Sequence, residues 1–141
     1  MRKIVSFNTP VEDLITVYIM YVRSILEQSC QVWHPMLTQE NIEDLERVQK
    51  SALRIILQDK YSTYEEALEK IMLSKLSVRR EKLCVKFATN CAKNELTADL
   101  FPPNPAGANT RSKEKYHVNH QNTDRYKDSP VPYLQKLLNE S

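Results

Sequence analysis

Apolar residues recur at helical spacing along the first two thirds of the chain. Between Pro10 and Cys30 they lie three and four residues apart, which predicts a helix that starts at Pro10, is capped by Thr9 and ends between Cys30 and Pro35. Further apolar residues widen this stripe beyond one ordinary helix face, so we expect the helix to be covered on several sides. The widening residues are Val17, Ile19, Met20 and Tyr21.

Three more helices are predicted by the same criterion. Thr38 is placed to cap a helix that runs to about Leu57, and a capping box at Ser62 opens a short third helix. A longer fourth helix runs from about Lys75 to Asn94. Its apolar stripe is expected to be buried and consists of Leu76, Leu83, Cys84, Phe87 and Cys91.

The pattern changes after the fourth helix. Residues 96–128 are Pro-rich and basic, and contain too few apolar positions to fold unaided, so we expect a disordered linker. Residues 129–141 regain helical spacing, which predicts a short amphipathic segment that docks back. The predicted architecture is all-α: a small helical bundle over residues 1–95 with a largely irregular C-terminal tail.

The composition agrees with an all-helical fold and argues against several classes of protein. A single Gly in 141 residues argues against a sandwich or barrel with many tight turns, and against a Gly-rich phosphate loop. The longest apolar stretch is interrupted by charges and is too short to span a membrane. Three cysteines and the lack of a leader-like N-terminal segment indicate an intracellular protein, cytoplasmic or nuclear.

No pattern of catalytic residues stands out. Two-metal phosphoryl transfer needs carboxylates held close together, whereas the aspartates are scattered over helices, loops and tail. The Cys and His spacings match no zinc motif, and cysteines on an apolar helix face usually pack in the core. We therefore assign no catalytic residue, no metal site and no cofactor.

Two basic stripes remain as candidates for nucleic-acid binding. The first consists of Arg47, Lys50 and Arg54, and the second consists of Arg79, Lys82, Lys86 and Lys93. Both could follow a phosphate backbone. However, Glu43 and Glu46 precede Arg47 and Lys50 by four residues, the spacing of ion pairs that merely stabilise a solvated helix. Both interpretations stay open, and the second stripe is the better binding candidate because it has fewer acidic neighbours.

Two residues near apolar faces are open to more than one interpretation. Arg80 lies near the buried side of its helix, which fits either a snorkelling side chain or an interhelical ion pair whose partner the sequence does not identify. Trp33 precedes His34 and Pro35, and is expected to be a core residue at a helix end rather than a base-stacking platform.

Several segments carry a family resemblance. They are Tyr18–Glu27, Val32–Pro35, Leu45–Ile56, Tyr64–Leu68 followed by Leu76, Arg79 and Arg80, and Thr123–Pro132. In order and spacing they resemble the region downstream of the palm in reverse transcriptases of non-LTR (LINE-type, jockey-like) retrotransposons. The resemblance covers nearly the whole chain.

The resemblance implies a helical thumb and a C-terminal tail, in which helices contact the RNA–DNA template–primer duplex. The polymerase carboxylates that bind Mg²⁺ belong to the palm, which lies upstream, and Met1 would be a start inside a larger reading frame. This implies a truncated remnant of an RNA-directed DNA polymerase that has no activity of its own and binds the duplex weakly.

The loss of the palm as a partner would expose the first helix and favour self-association. The alternative function is a non-enzymatic helical protein–protein interaction module, in which the wide apolar stripe of the first helix faces a partner protein. Neither interpretation includes a membrane partner.

Overall fold

The computed structural model describes residues 9–104, 115–118 and 120–140. Within these residues the regular elements are all helical, and the only β pairing is an isolated antiparallel bridge between Pro103 and Tyr116. The predicted all-α class is confirmed.

The helices differ widely in length. The α-helices are α1 (Val11–Val17), α2 (Ser24–Glu27), α3 (Cys30–Trp33), α4 (Gln39–Leu57), α5 (Tyr64–Ile71), α6 (Leu76–Lys93), α7 (Asp124–Lys127) and α8 (Pro130–Glu140). A π-helical segment (Tyr18–Arg23) joins α1 to α2, and 3₁₀ turns occur at His34–Met36, Gln58–Lys60 and Ala98–Leu100. The long helices α4 and α6 agree with the predicted bounds to within a residue.

The first helical stretch begins one residue later than predicted. Pro10 has an extended backbone with ψ 147° and is itself the N-cap, so the first helical residue is Val11. Proline has no side-chain oxygen, and the cap position carries no side-chain hydrogen bond. The predicted cap by Thr9 is therefore wrong.

The same stretch ends earlier than predicted. It stops at Glu27 rather than between Cys30 and Pro35, because Ser29 adopts the left-handed region with φ 52°. A left-handed residue cannot continue a right-handed helix, so the chain turns before α3 starts. Gly is the usual residue in this conformation, so the Ser at this position does not predict that the helix ends here.

Side-chain caps define the starts of α4 and α5. The Thr38 hydroxyl accepts from the Asn41 N–H at 3.3 Å, which confirms the predicted cap of α4. For α5 the cap is Thr63, which accepts from the Glu66 N–H at 3.3 Å, rather than Ser62. The Ser62 hydroxyl donates instead to the Glu66 carboxylate.

The chain divides into two compact units. Unit 1 consists of the chain up to Gln28 together with Leu37–Arg79. Unit 2 consists of Ser29–Met36 and the chain from Arg80 onwards. The boundary in the second half of the chain therefore falls inside α6.

These units differ from the domain boundaries 1–95, 96–128 and 129–141 predicted from composition. Composition separates apolar from polar stretches, but it does not show with which partner each part of a long helix packs. The part of α6 that begins at Arg80 shares a core with α8.

Each unit has its own apolar core. The core of unit 1 comprises Leu14, Tyr18, Ala52, Leu53, Ile56, Leu57, Tyr64, Ala67 and Leu68. The core of unit 2 comprises Cys30, Cys84, Ala88, Phe101, Leu134 and Leu137. The predicted docking of the C-terminal helix is thus confirmed, whereas Phe87 is 44% exposed and Ala88 occupies the buried position instead.

The described parts of 96–128 include a 3₁₀ turn and the short helix α7, and some of them pack against α8, so they differ from the expected disordered linker. Phe101 is buried, and the backbone carbonyl of Leu100 accepts from Gln135 Nε2 at 2.7 Å. The Asn139 side chain accepts from the Tyr116 N–H at 2.9 Å and donates to the Tyr116 carbonyl at 3.0 Å. Residues 105–114 and 119 lie outside the described residues.

Candidate nucleic-acid interface

Three lysines on α6 form an exposed basic face, which we call the lysine face. Lys82, Lys86 and Lys93 are all exposed and belong to unit 2. At about 100° per residue they fall within an arc of about 40°, and they span about 16 Å along the helix axis. In the part of the chain that the structure describes, no ion pair or hydrogen bond engages their ammonium groups. The lysine face is therefore available to an anion.

Arg79, the first member of the predicted stripe, is engaged elsewhere. Its Nε donates to the Glu27 carboxylate within unit 1. The same carboxylate lies 3.5 Å from Arg23 Nε, so one acid neutralises two guanidinium groups. The structure thus separates Arg79 from the three lysines by giving it a partner 52 residues away in sequence.

Each cation of the first stripe, on α4, has a partner. The pairs are Arg47 Nη1 with Asp44 Oδ1 at 2.7 Å, Lys50 Nζ at 5.1 Å from the Tyr64 ring centre, and the Arg54 guanidinium at 5.4 Å from the Tyr61 ring centre. A phosphate that binds one of these cations must replace its present contact or share the cation with it, so any phosphate binding here is expected to be weak. The α4 stripe therefore differs from the lysine face in that each of its cations already has a contact within the chain.

The predicted ion pairs of Glu43 with Arg47 and of Glu46 with Lys50 are not those that form. The Glu43 carboxylate accepts from Gln39 Nε2 at 3.3 Å. Glu46 is buried and faces the core of unit 1, because its side chain lies on the apolar side of α4. Spacing alone does not determine which of several nearby partners an acid takes.

A buried polar network in unit 1 was missed by the sequence analysis. The Tyr18 hydroxyl donates to Gln49 Oε1 at 2.6 Å, and Gln49 Nε2 donates to the Tyr64 hydroxyl at 2.9 Å and to the Ser74 carbonyl at 3.1 Å. The Tyr64 hydroxyl donates to Glu46 Oε2 at 2.5 Å. Every polar atom of the Gln49 side chain therefore has a partner, as burial requires.

A second contact of Glu46 ties the start of α6 to this network. Its Oε1 accepts from the Ser77 backbone N–H at 2.8 Å, one of the N–H groups that a helix leaves unsatisfied at its first turn. A sequence signal for the network exists, because Gln49 precedes Leu53 and Ile56 by four and seven residues and so lies on their face of α4.

The two tyrosines of the network stay protonated. Burial raises the pKa of Tyr18 well above its usual value. Burial also raises the pKa of Tyr64, and its hydrogen bond to Glu46 raises it further. Both hydroxyls therefore act as fixed donors, which makes this network a structural element rather than an acid–base site.

Unit 2 buries a charge instead. Arg80 is fully buried, and its guanidinium lies 5.8 Å from the centre of the Trp33 ring. The neighbouring His34 ring meets Tyr133 edge-on, with ring centres 5.8 Å apart. Burial lowers the pKa of His34, and the positive charge of Arg80 lowers it further. Arg80 is therefore a core residue stacked on an aromatic ring, not a surface cation.

The cysteines of unit 2 are core residues as well. Cys30 and Cys84 are buried, and Cys91 is partly buried. Burial raises the pKa of the Cys84 thiol to about 12, and a hydrogen bond with Cys30 acts in the same direction. A thiol with so high a pKa is a poor nucleophile. The predicted core role is confirmed for Cys84.

The described residues contain no group of three or more His, Cys, Asp or Glu side chains that could hold a metal ion. Over the same residues, no helix combines the length and apolar character that crossing a membrane requires. No protein-family model matches the chain, and no curated protein or solved structure matches it either.

Proposed function

We propose that this chain corresponds to the region that follows the palm of a non-LTR retrotransposon reverse transcriptase, and that it binds the phosphate backbone of an RNA–DNA template–primer duplex weakly. The order of the resembling sequence segments and the all-α class support this proposal. The observation that carries it is the lysine face, where Lys82, Lys86 and Lys93 are exposed and unpaired among the described residues.

The charges around the lysine face favour phosphate binding over the alternative that this face is only solvated. Glu81 is the single acidic residue between Leu76 and Lys93, and at about 100° per residue it points about 100° away from Lys82. Lys82 and Lys86 lie four residues apart, so their like charges repel each other until an anion binds between them. A phosphate backbone relieves this repulsion and releases its counterions.

The proposed role is contact with nucleic acid and not catalysis. The resemblance assigns the polymerase carboxylates and their Mg²⁺ to the palm, so the chain itself is expected to need no metal. Its place in the cell would be the cytoplasm or the nucleus, where an RNA–DNA duplex of this kind is made. Arg79 and the α4 cations would at most add secondary contacts.

Titration of a labelled RNA–DNA duplex with the full chain tests this proposal. Three neutralised phosphates predict that log K falls with log salt with a slope of about −3. Reversal of two charges in the variant Lys82→Glu, Lys86→Glu should weaken binding at low salt by at least tenfold, roughly the effect of losing two such contacts. The matched control is Arg47→Glu, Lys50→Glu, which changes the net charge equally and should weaken binding much less.

Two results would contradict the proposal. One is the absence of binding at low salt. The other is an equal loss of affinity in the two double variants, because net charge rather than the lysine face would then determine binding.

A second candidate function is a non-enzymatic helical protein–protein interaction module. The observation that favours it is the exposure of three large apolar side chains on the first helical stretch, where Met20, Tyr21 and Ile25 are 60%, 67% and 69% exposed. This exposure also fits the prediction that the wide apolar stripe of that helix is only partly covered within the chain. The two functions use different units and are compatible.

A further inference from the structure

The second half of the first helical stretch has an outward side without charge. Between Val17 and Gln28 every exposed residue is uncharged, although Glu12 and Asp13 are exposed at the start of the stretch and 27% of the residues in the chain are charged. We call this side the uncharged face, and its residues are Met20, Tyr21, Ser24, Ile25 and Gln28. Three of its five side chains are large and apolar, which is unusual for a surface helix.

The two charged residues between Val17 and Gln28 are Arg23 and Glu27, and both are largely buried. The side chains of Arg23 and Glu27 are only 13% and 12% exposed, and they pair with each other and with Arg79. A surface helix normally places charge outside and apolar residues inside. Here the charges are neutralised within unit 1 while the apolar side chains stay in contact with water, so the uncharged face is built for a partner that covers it.

We propose that the uncharged face is the interface of a homodimer, in which a second copy of the chain packs antiparallel across a two-fold axis. Four of the five positions, Met20, Tyr21, Ser24 and Ile25, are symmetric in spacing about the point between Val22 and Arg23. A two-fold contact of this kind pairs Met20 with Ile25 of the copy and Tyr21 with Ser24 of the copy. Each pairing is favourable, since the first joins two apolar side chains and the second sets a large ring against a small hydroxyl.

Electrostatics favours a second copy as the occupant. Because the face has no charge, bringing it against itself creates no like-charge contact. A partner with a charged surface would have to bury those charges without a counterion, which is costly. A second copy of the chain offers a surface that is equally free of charge, since it carries the same face.

The size of the face sets the strength of the dimer. Side chains of this size and exposure present about 400 Å² of apolar surface per copy, and with their polar neighbours two copies bury about 1,000 Å² in total. That area is at the lower limit for a specific interface, so the dimer should be reversible and in the micromolar range. The π-helical segment Tyr18–Arg23 carries Met20 and Tyr21 of this face, and such segments are frequent at functional sites.

This inference goes beyond the proposed nucleic-acid function and does not depend on it. The uncharged face belongs to unit 1 and the lysine face belongs to unit 2. Because the dimer is measured without nucleic acid, failure of one proposal leaves the other intact.

Sedimentation velocity of the full chain at increasing concentration tests the dimer. The wild-type chain should change from monomer to dimer, whereas Tyr21→Glu and Ile25→Glu should each raise the dissociation constant at least about tenfold, because each would bury an unpaired carboxylate. The control is Leu96→Glu, at a leucine in unit 2 that is 92% exposed, which should dimerise like the wild type. Circular dichroism should show the same helix content in all variants, since the substituted side chains are exposed.

Cross-linking tests the antiparallel arrangement. In a chain with Cys91→Ala, the single variants Met20→Cys and Ile25→Cys are mixed and oxidised by dioxygen with copper phenanthroline, which joins two thiols as a disulfide. The antiparallel dimer predicts that mixed pairs form faster than pairs of either variant with itself.

Three outcomes would overturn the proposal. The first is a chain that stays monomeric at every concentration. If such a monomer also binds an apolar dye at this face, the face is open to a different protein rather than to a second copy. The second is a dimer that is unaffected by both glutamate substitutions. The third is preferential cross-linking of each cysteine variant with itself, which would exclude the antiparallel geometry.

Discussion

Units 1 and 2 place particular charged residues differently. In unit 1, Glu27 pairs with two arginines and Glu46 accepts hydrogen bonds in the core. The uncharged face of the first helical stretch lies in the same unit. Unit 2 leaves three lysines in water and buries Arg80 against Trp33.

The difference suggests that the two units meet different partners. An uncharged face with paired charges behind it suits an apolar protein surface, because nothing has to be desolvated without compensation. A row of unpaired lysines suits a polyanion, since counterion release supplies the driving force. The interiors differ as well, because the hydrogen-bond network of unit 1 contains two tyrosines that stay protonated and unit 2 contains a histidine whose pKa is lowered.

The largest effect is expected for the network of unit 1. Gln49→Leu removes the acceptor of the buried Tyr18 hydroxyl and the donor to the Tyr64 hydroxyl and to the Ser74 carbonyl. One unsatisfied buried hydroxyl and two further lost hydrogen bonds should lower the free energy of unfolding by about 3 kcal/mol. Urea unfolding followed by circular dichroism measures this loss.

The matched control for that prediction is Gln39→Leu, the same chemical change at an exposed position of α4. It should alter stability by less than about 0.5 kcal/mol. Adding Tyr18→Phe to Gln49→Leu should recover part of the loss, because it removes the unsatisfied hydroxyl. Equal losses for Gln49→Leu and Gln39→Leu would show that the network contributes no stability.

The elements that the sequence predicted well are those determined by local pattern. The Thr38 cap, the bounds of α6 and the amphipathic pattern of α8 depend on residues close together in sequence, and all three agree with the structure. A helix boundary that depends on tertiary contacts does not show in such a pattern. The break at Ser29 is an example, since a non-glycine residue takes a left-handed conformation there.

The basic stripes were predictable only as far as they depend on local helix periodicity. The exposure of Lys82, Lys86 and Lys93 follows from helix periodicity, because they lie opposite the apolar stripe of α6. The partner of Arg79 is 52 residues away, and no local rule identifies a pair at that separation. Burial of Gln49 and Glu46 was missed because a polar residue on an apolar face is assigned to solvent unless its partners are known.

The second largest effect is expected for the pH dependence of stability, which His34 gives to unit 2. His34 has a lowered pKa in the folded protein because of burial and the charge of Arg80, so protonation favours the unfolded chain. Its contribution to stability is complete above the unfolded pKa of about 6.5 and is lost as the pH falls below that value, by at most about 1.4 kcal/mol per pH unit. Trp33 is the only tryptophan of the chain and lies in unit 2, so its fluorescence during urea unfolding reports this loss.

Substitution identifies the histidine responsible. His34→Gln should reduce the pH dependence between about pH 7.5 and pH 5.5, on either side of the usual histidine pKa. Glu81 opposes the effect of Arg80 on His34, so Glu81→Gln should steepen the dependence. An unchanged pH profile in His34→Gln would assign the titration to another group.

The smallest effect is expected when lysines and arginines of the two basic stripes are substituted and the change in the free energy of unfolding is compared. Lys50 and Arg54 each lie over a tyrosine ring, so Lys50→Gln with Arg54→Gln should cost about 1 kcal/mol in total, as expected for two exposed cation–π contacts. Lys82→Gln with Lys86→Gln has the same spacing on α6 and removes only a repulsion, so it should stabilise by about 0.3 kcal/mol. The sign of the change therefore differs between the stripes, and paired urea titrations at low salt resolve it. A loss of stability in the α6 variant would mean that these lysines have partners within the folded chain, and the lysine face would then be less available to a phosphate backbone.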